Sequence, residues 1–334
     1  MQVVVVLALP LMRAANLPRK VGMIAALGIQ PAISFCMPVA NVPGSLPNQF
    51  LGTTIYDAPL LSIATGIVGI ILFFFWITHM VRKARKTGAG YDGSSDVGEV
   101  DTDTSHLPSF GTSLIPLIVV IAAAIFMAAF KVPGPDGKAV ALFESVLGVN
   151  ANAQVALAQL SGCVVLALLQ FGRCREMGFT KIITRGAPSM WGFLVLAGCV
   201  YGFGMVTQAS ACFQPLLDAI MSINVNPYLT VWLSVCLIAA LCADGVSGMV
   251  MWLGVFGSQF GVGNSLGVDP QAVHRIAVSA ATTFDSLPHS PMLAQGMAVF
   301  KTNLKESYKY SFILTVVFPV IFSLVAVIGA IIFY

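Results

Sequence analysis

Long apolar stretches separated by short basic segments set the rhythm of this chain. A helix needs about 20 apolar residues to cross the hydrocarbon core of a bilayer. Residues 58–80 supply one clean stretch, and 110–130, 151–171, 188–208 and 310–334 supply four more. Three further stretches are interrupted. Residues 21–52 carry Pro38, Pro43, Gly44 and Pro47, and 226–260 are broken by Asp244-Gly245-Val246-Ser247-Gly248. Residues 271–300 are broken by Thr282-Thr283-Phe284-Asp285-Ser286-Leu287-Pro288-His289-Ser290. Residues 1–12 are too short to cross alone and read as the tail of a span, while 213–223 read as an amphipathic interfacial segment holding Asp218. The pattern predicts an all-α integral membrane protein with broken helices.

Charge orients the spans. Lys and Arg favour cytoplasmic loops, so Arg13/Arg19/Lys20, Arg82–Lys86, Arg173/Arg175/Lys181/Arg185 and Lys301/Lys305/Lys309 are all expected inside. Were 21–52 a re-entrant hairpin, the span after it would carry Arg82–Lys86 outside; as a broken helix that crosses, it leaves every cluster inside. By the same logic 226–260 is a hairpin dipping in from outside, and 271–300 is a broken helix crossing inward. The two broken helices then run in opposite directions, as an inverted-repeat transporter requires. Ser45-Leu46-Pro47-Asn48 echoes Ser286-Leu287-Pro288-His289. The expected organisation is 1–86 as the C-terminal part of a first repeat, 87–108 as a flexible cytoplasmic loop rich in Gly, Ser and Asp, and 109–334 as a second repeat. His274 and Arg275 are expected at the outer interface, and His79 and His106 flank the loop with no evident chemistry.

Composition removes the competing classes. The chain is 57% hydrophobic and 9% charged, with a mean hydropathy of +0.88, whereas a soluble domain averages about 25% charged residues. The net charge of +3 lies in the clusters between spans, so it reads as topology and not as a nucleic-acid surface. The seven cysteines form no CxxC pair and no metal spacing with histidine, so no metal or cofactor is expected. No nucleotide-binding motif is present, so ATP-driven transport has no support. Met1 opens directly into an apolar run without a basic segment or a cleavage site, so no cleavable signal is expected.

The chemistry gathers in the breaks. Ionisable residues at bilayer depth are costly and mark pathways for ions or substrate. Interrupted helices also leave peptide N–H groups and a positive dipole end free to face a small anion. Ser45, Ser247, Thr283 and Ser286 supply hydroxyls, Asn41, Asn48 and His289 supply further polar contacts, and Gly44, Gly245 and Gly248 admit close backbone approach. A carboxyl group withdrawn from water holds its proton more readily, which makes Asp285, with Asp244, the candidate for a coupling proton. Each has a blander role. Asp285 can cap a half-helix starting near Pro288. His289 can be satisfied by one carbonyl, Asp244 can be a turn residue, and Asn41 can satisfy the backbone freed at Pro43.

Asp285-Ser286-Leu287-Pro288-His289, preceded by Thr282-Thr283 and followed by Lys305-Glu306-Ser307-Tyr308, resembles the D-S/T-L-P-H-N and T-H-K-E-S-Y-like runs of the gluconate permease (GntP) family of the ion transporter superfamily. Leu17-Pro18-Arg19-Lys20, Phe50-Leu51-Gly52-Thr53-Thr54 and Ala58-Pro59 are similar to its I-P-R-R, F-G-T-T and A-A-P runs. Three departures bear on the substrate. The family's P-G-S/T-P-Q-I-Q-N run is here Met37-Pro38-Val39-Ala40-Asn41-Val42-Pro43-Gly44. Its T-G-S-A-S-G-G-like turn is Ala243-Asp244-Gly245-Val246-Ser247-Gly248-Met249, and the Asn after the His is Ser290. The resemblance implies proton symport of gluconate-like or other small carboxylates, in the inner membrane, by an elevator movement, as a homodimer. It also implies a longer N-terminal region with room for about three further spans, so a fragment of a permease is one alternative. An integral membrane enzyme using Asp285 and His289 as an acid/base pair is another, though no nucleophile elbow, HExxH or acidic metal cluster accompanies them.

Overall fold

The computed structural model describes residues 8–9, 11–38, 41–91, 109–129, 131–133, 139–141, 148, 151–184, scattered positions between 191 and 219, and 225–334. Two compact units result, one of Met1–Val39, Leu46–Val100 and Gly198–Tyr334, the other of Ala40–Ser45 and Asp101–Ala197. The described elements are helical apart from one antiparallel pair of short strands, Lys131–Pro133 and Ala139–Ala141.

In the first unit, Arg19–Gln30 (α1) buries Val21, Met23, Ile24 and Leu27. Pro31 has no N–H to give the preceding turn and its ring crowds that turn's carbonyl. The chain stays helical by widening into a π turn over Pro31–Cys36, then leaves in extended form at Met37. It resumes as Val42–Leu51 (α2), whose residues through Ser45 belong to the second unit. The 21–52 stretch is therefore two helical pieces, as its prolines predict. Pro59–Lys86 (α3) follows, 28 residues or about 42 Å long, and ends on Lys83, Arg85 and Lys86, which complement the negative end of the helix dipole.

The hairpin predicted at 226–260 forms as Pro227–Cys242 (α7) and Gly245–Phe260 (α8), turning through Ala243 in the left-handed conformation (φ 48°, ψ 30°). A Cβ on Gly248 would lie 2.5 Å from Ala239 Cα, so the two helices close to backbone contact. The broken helix at 271–300 forms as Pro270–Ala280 (α9) and Pro291–Phe300 (α10), with non-helical chain between. Leu304–Phe312 (α11), a π turn at Ile313–Val317 and Phe318–Phe333 (α12) complete the unit. Pro319 cannot donate to the turn before it, and that is where the helix widens. Two apolar cores result. One joins the hairpin, α9 and α12 with Phe35, Leu51 and Leu61. The other joins α1 with Phe73, Met80, Leu293, Phe300 and Leu314. The two halves of the broken helix thus enter different cores.

The second unit holds Phe110–Ala129 (α4), Ala151–Leu169 (α5) and Phe171–Met177 (α6), with α4 and α5 packed together through Gly162. These match the stretches expected at 110–130 and 151–171. The span expected at 188–208, the segment at 213–223 and loop residues 92–108 lie largely outside the described residues. Pro59–Lys86 and Leu304–Phe333 are long and apolar enough to cross a membrane, and Ala156–Leu169 with Phe171–Met177 passes the same test as a pair bent by 84°. The chain is an all-α membrane protein.

One expectation is corrected. His274 and Arg275 do not face outward; they are 0% and 4% exposed. Beyond Gln271, helix α9 is enclosed by α7, α12 and the Pro31–Cys36 turn, and Ala272–Ala280 are all buried. Polar partners in the 53–57 loop offset the burial. Thr53 Oγ1 lies 2.7 Å from His274 Nδ1, and the Arg275 guanidinium donates to the carbonyls of Asp57 and Ile55. That clamp holds the chain just before Ala58, which takes the left-handed conformation (φ 44°) to launch α3.

Candidate substrate site at a helix break

The tip of the hairpin seats in the break of the α9–α10 helix. A Cβ on Gly245 would lie 2.6 Å from the Ala281 carbonyl oxygen and 3.3 Å from Asp285 Oδ2, so tip and break touch at a point where only glycine fits. Three more contacts tie helix α7 to the break. Thr283 Oγ1 lies 3.0 Å from Cys236 Sγ and donates to the Ala280 carbonyl at 2.7 Å. The Cys236 thiol points at that same carbonyl at 3.8 Å. His289 Nε2 lies 3.2 Å from the Ala240 carbonyl, a bond the ring makes with its proton on Nε2.

The break is built from short turns. Thr282 and Thr283 donate their amides to Ser279 and Ala280 at 3.3 and 3.0 Å, tightening the end of α9. The Ser290 amide closes a turn onto the Leu287 carbonyl at 2.8 Å. Helix α10 then starts at Pro291, a first helical position that needs no N–H. Ser290 stands at its N-cap but makes no capping bond, and its Oγ is buried without a partner. The first amides of α10 thus face the break uncapped.

Two carboxyl groups meet this arrangement. Asp285 is 6% exposed and accepts from Ser286 Oγ at 2.8 Å. It does not cap α10, which begins six residues later. Asp244 does cap: its Oδ2 accepts from the Ser247 amide at 2.8 Å and closes the N-terminus of α8. Asp244 also bears on Asp285 electrostatically. The N-terminus of α8 is therefore already capped by a side chain, and that of α10 is not.

Of the residues singled out by sequence, Asp244, Ser247, Thr283, Asp285, Ser286 and His289 all lie on the tip, the break or the turn beside them. Thr283 spends its hydroxyl inside the fold, while His289 is exposed with one carbonyl contact. Asn41 and Ser45 belong to the other unit, where Asn41 Oδ1 accepts from the Gly44 amide at 2.7 Å and caps α2. Asn48 lies in the part of α2 beside α8, where Phe50 packs on Gly257 and Gly261, and its buried Oδ1 has no partner. Sequence reasoning passed over Cys236, Ala240 and the orphaned Ser290 hydroxyl. Ser290 carried a signal, since a serine directly before a proline that opens an apolar run is an N-cap pattern.

No protein-family model matches the chain, and no solved structure does. A curated relative from Bacillus subtilis (strain 168), named as the uncharacterized transporter YxjC, is 23% identical over 332 residues, covering 91% of this chain and 68% of the relative. The similarity thus runs over nearly all of this chain and about two thirds of a protein named as a transporter.

Proposed function

We propose that this chain is a secondary active transporter, a proton-coupled symporter of small carboxylates or hydroxy-carboxylates such as gluconate, working as a homodimer in the inner membrane. The observation that carries the reading is the hairpin tip packed into a helix break that holds a buried carboxyl and leads into an uncapped helix N-terminus. The α10 amides, the Ser290 hydroxyl and His289 offer donors to a small anion, and the Ser286 hydroxyl joins them once Asp285 releases it. Ser247 lies at the tip, in the first turn of α8. The relative named as a transporter supports the general class.

Electrostatics links the anion to the proton. Two like charges about 4 Å apart repel by about 4 kcal/mol at an effective dielectric of 20. An anion arriving beside Asp244 and Asp285 adds a third negative charge, so it binds best once a proton has neutralised one carboxyl. Asp285 is assigned that proton, because the Asp244 carboxyl is committed to the Ser247 amide at the α8 cap whereas Asp285 caps no helix. The enzyme alternative needs Asp285 and His289 to act as a pair; they instead hold Ser286 and the Ala240 carbonyl.

Proteoliposomes with a trapped pH dye test the proposal. Adding gluconate or a related acid at zero membrane potential is expected to acidify the lumen through protein-dependent proton entry. Uptake without proton entry would remove the symport, and no uptake of any small acid would remove the substrate class.

A further inference from the structure

A second constellation lies away from the break, where α3 passes from its apolar run into its basic end. Lys20 on α1 and Lys83 on α3 both place their ammonium groups over the ring of Tyr310 on α11, at 5.9 and 5.2 Å from its centroid. Lys83 Nζ also donates to the Tyr310 hydroxyl at 3.2 Å, and the neighbouring Lys309 adds a third positive charge within electrostatic reach of that oxygen. Three helices thus bring three lysines to one phenol. Neither Lys20 nor Lys83 has a carboxylate partner among the described residues. Like charges gather this way at a cost of mutual repulsion, which a bound anion relieves.

The seat is rigid and lies at the depth of a membrane surface. Trp76 Nε1 donates to the Tyr310 carbonyl at 3.2 Å, and the Trp76 ring stacks on His79 and meets Phe318 edge-on. Tryptophan and tyrosine favour the headgroup level. The apolar run of α3 also ends here, with Arg82, Lys83, Arg85 and Lys86 following within two turns. Lys83 and Lys309 are exposed and Lys20 half-buried, so the ammonium groups are reachable from the side.

We propose that Lys20, Lys83 and Lys309, with the Tyr310 hydroxyl, bind the phosphate of an anionic lipid headgroup. Basic pockets between transmembrane helices suit such headgroups, and each lysine near the surface is worth roughly a 5-fold gain in binding. The lipid would hold α1, α3 and α11 together at one membrane face, independently of the site at the break.

The test is thermal unfolding of the full chain in neutral detergent, titrated with phosphatidylglycerol, phosphatidylcholine or inorganic phosphate. Phosphatidylglycerol is expected to raise the Tm of the wild-type chain, while the other two leave it unchanged. In Lys20→Gln/Lys83→Gln the half-saturating concentration should rise roughly 30-fold, and in Lys83→Gln alone roughly 5-fold. Lys181→Gln, an exposed lysine of the other unit, should behave as wild type. Tyr310→Phe keeps the ring and lowers binding only in part, so the prediction holds a second route should the double variant fold poorly. Equal protection of wild type and variants would overturn the site. Equal protection by inorganic phosphate would overturn the lipid as its ligand.

Discussion

At Gly245 the hairpin tip has no room for one more carbon, because the obstructing atom is the Ala281 carbonyl oxygen and backbone cannot step aside. Gly245→Ala is expected to destabilise the fold by about 2 kcal/mol and to abolish uptake, since it lifts the tip out of the break. Thermal unfolding and uptake measured on the same preparation check both effects. Arg275 carries a different load. Its guanidinium satisfies two half-buried loop carbonyls, and Arg275→Met leaves both without that donor, at a cost of about 3 kcal/mol. Arg275→Lys keeps the charge but loses the two-pronged geometry, so its Tm should fall between those of wild type and Arg275→Met. A Lys variant as unstable as the Met variant would mean that the geometry alone matters.

The elements explain why a mostly apolar chain builds a polar site. Helices α9 and α10 enter separate cores, so the ten residues between them are tied at both ends while their own backbone stays out of regular helix. The hairpin reaches that break only because Gly248 lets α7 and α8 touch at Ala239. Gly248→Val is expected to splay the hairpin, lowering stability by about 2 kcal/mol and weakening substrate binding with it; isothermal titration with the transported acid measures the second effect. Much of this was legible in the chain. Prolines and an Asp-Gly turn in apolar runs announce broken helices, and Asp244, Asp285 and His289 stand out because ionisable groups at such depth need a reason. The clamp of His274 and Arg275 was not legible. Its partners lie 221 and 218 residues away in sequence, and ionisable residues near the end of a span ordinarily signal an interface. The π turns were legible only as prolines, since whether a helix kinks, ends or widens at proline depends on what packs around it.

At the scale of the molecule, the basic clusters predict that every run of Lys and Arg between spans faces the cytoplasm. A single cysteine introduced into 87–108 is therefore expected to react with an impermeant maleimide only from the cytoplasmic side. Labelling from outside would invert the topology and undo the opposed orientation of the two broken helices. The proposed homodimer belongs to this scale too and is checked by the mass of the detergent-solubilised particle.

The proposed coupling rests on one carboxyl group in one helix break. In proteoliposomes with an inward proton gradient, the wild-type chain should accumulate labelled gluconate or its true acid substrate above the outside concentration. Asp285→Asn should lose that accumulation yet still exchange internal for external substrate, because the proposed anion donors of α10 remain while the proposed proton carrier is gone. Undiminished gradient-driven accumulation by Asp285→Asn would contradict the account.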